Sequence, residues 1–277
     1  MSTQKMVTLS TITIGDILSG SICSGSKKVD PDAILPFIIV PIILVTGTIS
    51  LNTTVILMGM TGMGVLYVIS RPRKKNRSPF FFSWTLSSML YMYLVYQLVV
   101  VKFFQITIIE NFVFVTLVAC TCYLFYKMKA IADHELTGSS KGKEYSPVLT
   151  ADSQYCQICQ IEVNERLFHS IWWDCCVFRP NYKYFLFAQI CAFATIVVGT
   201  NYGLTTACHP FMSFGSIVLP ENCDHVYAQF RTALIFVTCI YGLGYLLVVI
   251  LVLLHQLYNV IPKCENPLQK FVDAFDV

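Results

Sequence analysis

Residues Tyr155 to Phe185 read YCQICQIEVNERLFHSIWWDCCVFRPNYKYF, a polar stretch between two halves of a very apolar chain. Within it lies the spacing Cys-x2-Cys-x9-His-x6-Cys. Three thiols and one imidazole are the number and type of ligands that a tetrahedral structural zinc site uses. The spacing therefore predicts a zinc site, the alternative being four unrelated side chains in a chain with 12 Cys. The ligands would be Cys156, Cys159, His169 and Cys176.

Residues 155–183 of this stretch are called the cassette below. It carries too few apolar residues to bury a core of its own, so we expect a bound metal to order it. Trp172 and Trp173 lie beside the metal spacing. Such aromatic side chains are enriched at the membrane surface, and we expect them to seat the cassette there.

The composition on either side of the cassette excludes a soluble domain. Of the 277 residues, 55% are hydrophobic and only 13% are charged, whereas about a quarter are charged in soluble proteins. The sequence predicts an all-α polytopic membrane protein with about six transmembrane helices and a small zinc-binding cytoplasmic insert between spans 4 and 5. The first two spans share the run 33–70, which is broken near Asn52, and the others fall at about 80–101, 106–126, 184–206 and 233–254. Treating residues 33–70 as one tilted or re-entrant element gives five spans instead.

The distribution of Lys and Arg predicts the orientation, because positively charged loops stay in the cytoplasm. Basic residues crowd the connection at 71–79 and the region around the cassette, whereas 207–228 contains neither Lys nor Arg. We therefore expect both termini and the cassette in the cytoplasm. In chain order, we expect a cytoplasmic N-terminal segment 1–32 and then spans 1–4 over 33–127, which include the basic loop 71–79. A flexible linker 128–154 and the cassette 155–183 follow. Spans 5–6 over 184–256, with a lumenal loop 207–228, and a cytoplasmic tail 257–277 complete the chain.

This topology also places the cysteines in two different redox environments. The cassette cysteines would face the reducing cytoplasm, where closely spaced cysteines indicate a metal rather than a disulfide. Cys208 and Cys223 would lie in the lumenal loop, where they could close a disulfide or remain two free thiols. A nucleic-acid partner is not expected, since the basic loops lie beside membrane spans and are explained by the topology.

The chain resembles the DHHC-type protein S-acyltransferase (palmitoyltransferase) family, in its six-span branch. The resemblance rests on the cassette, on Cys176-Val177 followed by Asn181 and Phe185, and on the arrangement of spans around them. It implies a zinc-binding cysteine-rich domain, palmitoyl-CoA as acyl donor or ligand, and location in the endoplasmic reticulum or Golgi. Its partners would be the lipid bilayer and protein substrates or active family members.

The resemblance also implies that this chain departs from the family at the catalytic centre. The family has two zinc sites of this spacing, and here one fourteen-residue period is missing. The positions of the Asp-His-His-Cys tetrad are held by Leu167, Phe168, His169 and Ser170. A serine hydroxyl without an adjacent base is a poor nucleophile compared with a thiolate. The remaining candidate nucleophiles are Ser170 and Cys175, both weak.

Three functions follow from these observations. The first is a DHHC-family membrane protein that is catalytically impaired and acts as a scaffold or regulator. The second is an active S-palmitoyltransferase that uses another nucleophile, or whose natural isoform contains the missing repeat. The third is a transporter or channel, which the few ionisable residues near the span ends disfavour.

Overall fold

A computed structural model of the chain describes residues 31–70, 79–103, 106–141, 153–208, 211–214, 217–220 and 223–260. The expected N-terminal segment up to residue 30, the basic loop 71–78 and the tail from residue 261 lie outside the described residues. The same holds for residues 142–152 of the expected linker.

Helices occupy all six positions at which the sequence predicts spans. They are α1 Pro31–Gly47, α2 Leu51–Ser70, α3 Phe80–Val95, α4 Ile108–Lys141, α5 Arg179–Ala207 and α6 Phe230–His255. A π-helical segment, Tyr96–Val100, and a last turn, Val101–Phe103, continue α3, and a second π-helical segment, Gln256–Val260, continues α6. The fold is therefore helical, as predicted.

Three of these helices are long and apolar enough to cross a membrane. These segments are Ile108–Glu135, Arg179–Ala207 and Phe230–Tyr258. Shorter apolar helices cover Pro31–Gly47 and Leu51–Tyr67. The chain is thus a helical membrane protein with at least three spanning helices among the described residues, and the count of six spans stays a prediction.

The first two helices form a hairpin that turns at residues 48–50, slightly before the predicted break at Asn52. Ser50 ends the turn, since its hydroxyl accepts a hydrogen bond from the backbone N–H of Thr53 at 3.2 Å, as an N-cap does. The buried Thr54 hydroxyl then donates to the Gly47 carbonyl at 2.8 Å and lies 2.7 Å from the Tyr227 hydroxyl. These bonds fix the hairpin to the segment that precedes α6.

Small polar residues allow α3 to pack closely against its neighbours. The buried Ser87 hydroxyl donates to the Pro36 carbonyl of α1 at 3.0 Å. Ser88 lies 2.8 Å from the Tyr241 hydroxyl of α6 and accepts from Tyr245 at 2.9 Å. Small side chains and interhelical hydrogen bonds are the contacts that hold helices together where lipid removes the hydrophobic driving force.

The fourth helix is longer than its predicted span. It runs to Lys141, so the first part of the expected flexible linker, from residue 128, is helical. Met128 and Ala132 on this extension are 0% and 1% exposed, because they pack against the cassette. A helix that continues past its apolar stretch is stabilised by such a tertiary partner, which the local polar composition does not reveal.

Six short strands form three antiparallel hairpins. Four strands lie in the cassette and two between α5 and α6: β1 Ser153–Cys156, β2 Ile161–Asn164, β3 Arg166–Ser170, β4 Cys175–Phe178, β5 Phe211–Phe214 and β6 Ile217–Pro220. Each hairpin, β1–β2, β3–β4 and β5–β6, is a separate two-stranded sheet.

A disulfide closes the segment that contains the β5–β6 hairpin. Cys208 and Cys223 are bonded, 15 residues apart. The pairing was one of the two outcomes that the sequence left open. A crosslink over a loop of this length stabilises a fold by about 3 kcal/mol in the chain-entropy model. The end of the bundle that carries this bond is called the disulfide end below, and the opposite end the cassette end.

We predict that Gly199→Leu destabilises the bundle by about 1–3 kcal/mol through overpacking. A Cβ at Gly199 of α5 would lie 2.8 Å from the Phe114 ring of α4. Gly62→Leu on α2 is the matched control, because a Cβ there has no neighbour within 4 Å among the described residues. Thermal unfolding of both variants in nanodiscs measures the difference. Equal midpoints for the two variants would contradict the packing of α5 on α4.

Candidate metal centre

The two cassette hairpins bring the four predicted ligands to one point. Cys156 is the last residue of β1, and Cys159 lies in the turn that follows it. The turn is tight because Gln160 adopts a positive φ of 58° and its N–H donates to the Cys156 carbonyl at 2.7 Å. His169 and Cys176 face each other as a directly paired couple on β3 and β4. Each hairpin thus contributes two ligand atoms.

The four ligand atoms have the spacing of a tetrahedral site. All lie within 4.8 Å of one another. The Cys159 and Cys176 sulfurs are 3.5 Å apart. His169 Nδ1 lies 3.8 Å from the Cys156 sulfur, 3.4 Å from that of Cys159 and 3.8 Å from that of Cys176. Zinc–sulfur bonds of about 2.3 Å and zinc–nitrogen bonds of about 2.0–2.1 Å give edges of about 3.8 and 3.6 Å in a regular tetrahedron. The residues present therefore fit a zinc ion.

Two polar groups lie close to the ligand atoms. The backbone N–H of Cys159 points at the Cys156 sulfur at 3.5 Å. The other imidazole nitrogen of His169, Nε2, lies 3.8 Å from the Asp174 carboxylate. This distance is too long for a hydrogen bond, and Nε2 is buried without a hydrogen-bond partner among the described residues. Asp174 is therefore a neighbour of the ligand set that the spacing of the cysteines did not indicate.

The crowding of the sulfurs also affects their protonation. The hydrogen bond with Cys159 raises the pKa of the Cys176 thiol above its ordinary value, and burial and the nearby sulfurs of Cys159 and Cys156 raise it further. A divalent cation stabilises thiolates and would reverse this effect. The chemistry of the cluster thus suits a bound cation better than three neighbouring free thiols.

A single buried amide holds the cassette to the helices. Asn181 is 0% exposed and lies in the first turn of α5. Its Oδ1 accepts from the Phe178 N–H at 2.9 Å, and its Nδ2 donates to the carbonyls of Cys176 at 3.1 Å and Met128 at 3.4 Å. These bonds satisfy polar backbone groups that are buried where β4, α4 and α5 meet. Asn181, near the end of the cassette in the sequence, therefore positions it on the bundle.

The tryptophan pair packs against the helices rather than lying free at the surface. Trp173 stacks on Phe125 of α4 with ring centroids 3.7 Å apart. Trp172 meets Phe81 of α3 edge to face at 5.1 Å. Both tryptophans belong to the turn that joins β3 to β4, so the position of the metal ligands on these strands sets the position of the tryptophans.

Beneath the tryptophans the helices enclose a cavity that sequence analysis did not find. Trp172 and Trp173 line it at the cassette end, and Tyr96, Phe114 and Gly203 line it toward the disulfide end. Its wall is otherwise made largely of aliphatic and aromatic side chains of α3, α4, α5 and α6. Gly199, Gly203 and Gly242 belong to this wall, but their shared position depends on the helix packing and could not be read from the sequence.

The two weak candidate nucleophiles lie in the same hairpin as the ligands. Ser170 and Cys175 are directly paired on β3 and β4. Ser170 is 7% exposed and Cys175 is 0% exposed. Cys175 packs within the buried cluster that joins the cassette to α4 and α5, so a substrate reaches neither side chain without movement of the cassette.

Part of the chain is similar to curated palmitoyltransferases. The Homo sapiens protein named Palmitoyltransferase ZDHHC23 is 30% identical over 120 residues, which is 41% of this chain. The proteins of that name from Mus musculus and Rattus norvegicus show the same identity over the same length. The chain covers 28% of the human protein and 27% of the two rodent proteins.

No protein-family model matches the chain, and no solved structure matches it significantly. The similarity supports a relationship to the DHHC-type palmitoyltransferases, in agreement with the resemblance found in the sequence. The cluster of Cys156, Cys159, His169 and Cys176 could hold a metal ion, and zinc as that ion stays a prediction.

We predict that the purified protein carries about one zinc ion per chain and that Cys159→Ala loses it, because three ligands remain for a four-coordinate ion. Cys175→Ala is the matched control: it removes a buried thiol one residue from a ligand but outside the ligand set. Inductively coupled plasma mass spectrometry gives the metal-to-protein ratio of each. Zinc retained by Cys159→Ala, or lost equally from both variants, would contradict the ligand assignment.

Proposed function

We propose that the protein is an integral membrane relative of the DHHC-type palmitoyltransferases that binds long-chain acyl-CoA, is impaired in acyl transfer, and acts as a membrane scaffold or regulator. The observation that carries the proposal is the apolar cavity beneath the metal cassette, together with the absence of a nucleophile and base pair at its entrance among the described residues. The similarity to palmitoyltransferases supports the same lipid class.

The length of the cavity supports a long acyl chain. Gln189 and Gly203 both line it and lie on α5. They are 14 residues apart, which is about 21 Å along a helix at 1.5 Å per residue. An apolar wall of this length favours a hydrocarbon chain, since burial of each methylene contributes about 0.8 kcal/mol. The CoA moiety would remain outside, on the far side of the tryptophans.

The surroundings of the family's tetrad positions support impaired transfer. Phe168 packs edge to face on Phe185 at 5.3 Å, so it serves as a core side chain. His169 directs Nδ1 at the sulfurs, which leaves this imidazole unsuited to act as a base for Ser170. A hydroxyl without a base is weakly nucleophilic near neutral pH. The retained groups hold a metal and pack a core.

The alternative is an active S-palmitoyltransferase, favoured by the similarity to proteins named palmitoyltransferase. It would use Cys175 as nucleophile, or a tetrad supplied by a repeat that this chain lacks. Cys175 would then have to leave the buried position that it occupies. Detection of a covalent acyl group separates the two functions.

The arrangement of cysteines supports the predicted orientation. A disulfide joins Cys208 and Cys223 at one end of the bundle, whereas free cysteines form the cluster at the other end. Disulfides form in oxidising compartments and free thiols persist in the cytoplasm. The cassette would thus face the cytoplasm, and the endoplasmic reticulum or Golgi would be the membrane. Partners there would be active family members or their protein substrates.

We expect purified protein incubated with tritiated palmitoyl-CoA to form no hydroxylamine-sensitive acyl-enzyme above that of heat-denatured protein. The reason is that Ser170 lacks a base and Cys175 is buried. Gel fluorography with and without hydroxylamine makes the measurement. A strong thioester signal that Cys175→Ala abolishes would overturn the proposed impairment and establish the alternative.

We further expect Gly242→Leu to weaken reversible palmitoyl-CoA binding at least tenfold. Gly242 lines the cavity, and a Cβ there would approach Thr200 at 3.5 Å and Met92 at 3.7 Å, two other residues of the wall, so a leucine side chain would reduce the space between them. Gly244→Leu is the matched control on the same helix, because a Cβ there has no neighbour within 4 Å among the described residues. Equilibrium binding of tritiated palmitoyl-CoA in nanodiscs compares the two. Equal affinities would place the acyl chain elsewhere.

A further inference from the structure

One buried amide in the cavity wall has no hydrogen-bond partner among the described residues. Gln189 lies on α5, is 7% exposed and lines the cavity. Two threonines of the wall are satisfied within their helices: Thr121 donates to the Leu117 carbonyl at 2.8 Å and Thr238 to the Leu234 carbonyl at 2.7 Å. The buried Tyr96 hydroxyl, toward the disulfide end of the wall, also has no hydrogen-bond partner among the described residues. Buried polar side chains are generally hydrogen-bonded, so an amide that faces an enclosed space indicates a polar group within that space.

The packing of α5 on α4 gives the depth of this amide. The hydroxyls of Thr121 and Thr195 lie 3.3 Å apart, which sets the register of two antiparallel helices. Gln189 precedes Thr195 by six residues on α5. Because the helices are antiparallel, it lies beside the part of α4 that follows Thr121 and contains Phe125. Phe125 is the residue on which Trp173 stacks. Gln189 therefore lies at the cassette end of the cavity, next to the tryptophans.

Between Gln189 and Gly203 the wall of the cavity contains no charged side chain among the described residues. From Gln189 the cavity continues about 21 Å along α5 to Gly203, by the helical rise. A charged group would be poorly solvated there, whereas a neutral carbonyl could accept a hydrogen bond from the amide. The arrangement is an amide at the cassette end followed by a mainly apolar wall, with the Tyr96 hydroxyl toward the disulfide end.

We propose that the Gln189 side-chain amide donates a hydrogen bond to the carbonyl oxygen of a long-chain acyl ester or thioester whose hydrocarbon lies in the cavity. This inference rests on the proposed binding of acyl chains and adds the residue that recognises the carbonyl. Gln189 is a specificity residue in this assignment: it selects an acyl derivative over a plain hydrocarbon, and it fixes the carbonyl beneath Trp172 and Trp173. No bond is made or broken in this step.

The test compares long-chain ligands with and without an acyl carbonyl. Tritiated methyl palmitate, bound to the full chain in nanodiscs, is displaced by unlabelled methyl palmitate, heptadecane or palmitoyl-CoA. Wild-type protein is expected to bind methyl palmitate about tenfold more tightly than heptadecane, since one hydrogen bond in an apolar site distinguishes them. Gln189→Leu should abolish this preference and weaken methyl palmitate and palmitoyl-CoA about equally. Equal effects on the two carbonyl ligands would show that they share the contact.

Gln229→Leu is the matched control, because Gln229 is exposed and its side chain makes no capping hydrogen bond to α6. It should keep the wild-type preference. Equal affinity of wild-type protein for methyl palmitate and heptadecane would overturn the inference and indicate that water satisfies Gln189. The inference would also be overturned if Gln189→Leu kept the wild-type preference for methyl palmitate over heptadecane. In that case, weaker palmitoyl-CoA binding by Gly242→Leu would still support the cavity as the site of the acyl chain. Wild-type protein that binds none of the three ligands would overturn the proposed acyl-chain binding itself.

Discussion

The cassette depends on one cluster of three sulfurs and one imidazole, which lies where its two hairpins meet. The cassette consists of two separate two-stranded sheets, and an isolated hairpin is marginally stable in water. Cys156 and Cys159 come from one hairpin, and His169 and Cys176 from the other. A metal bound among them would crosslink the two hairpins, and the binding energy of that metal would become folding energy of the cassette.

The same cluster determines what happens inside the bundle. The strands that carry His169 and Cys176 are joined by the turn that contains Trp172 and Trp173. These side chains pack on α3 and α4 and close one end of the cavity. Asn181 fixes the other side of the cassette through three hydrogen bonds. The metal cluster and the apolar cavity are thus parts of one packed unit.

Lipid binding and acyl transfer place different chemical requirements on such a unit. Holding a long chain requires an enclosed apolar wall and a polar contact at one end, and these do not depend on a nucleophile. Transfer of the chain requires in addition a thiolate or an activated hydroxyl at the carbonyl. The groups nearest the entrance in this chain are instead used for packing, as at Phe168, and for the metal cluster, as at His169.

The amino-acid sequence by itself determined the properties that depend on local composition and spacing. The apolar runs fixed the positions of the six helices, and the spacing of Cys156, Cys159, His169 and Cys176 identified four side chains that the fold brings together. It left the Cys208–Cys223 bond open and ended the fourth helix too early, because both depend on contacts distant in sequence. The cavity and the Gln189 amide in its wall were decided by tertiary structure alone, since a cavity is bounded by side chains of several helices and exists only once those helices have packed.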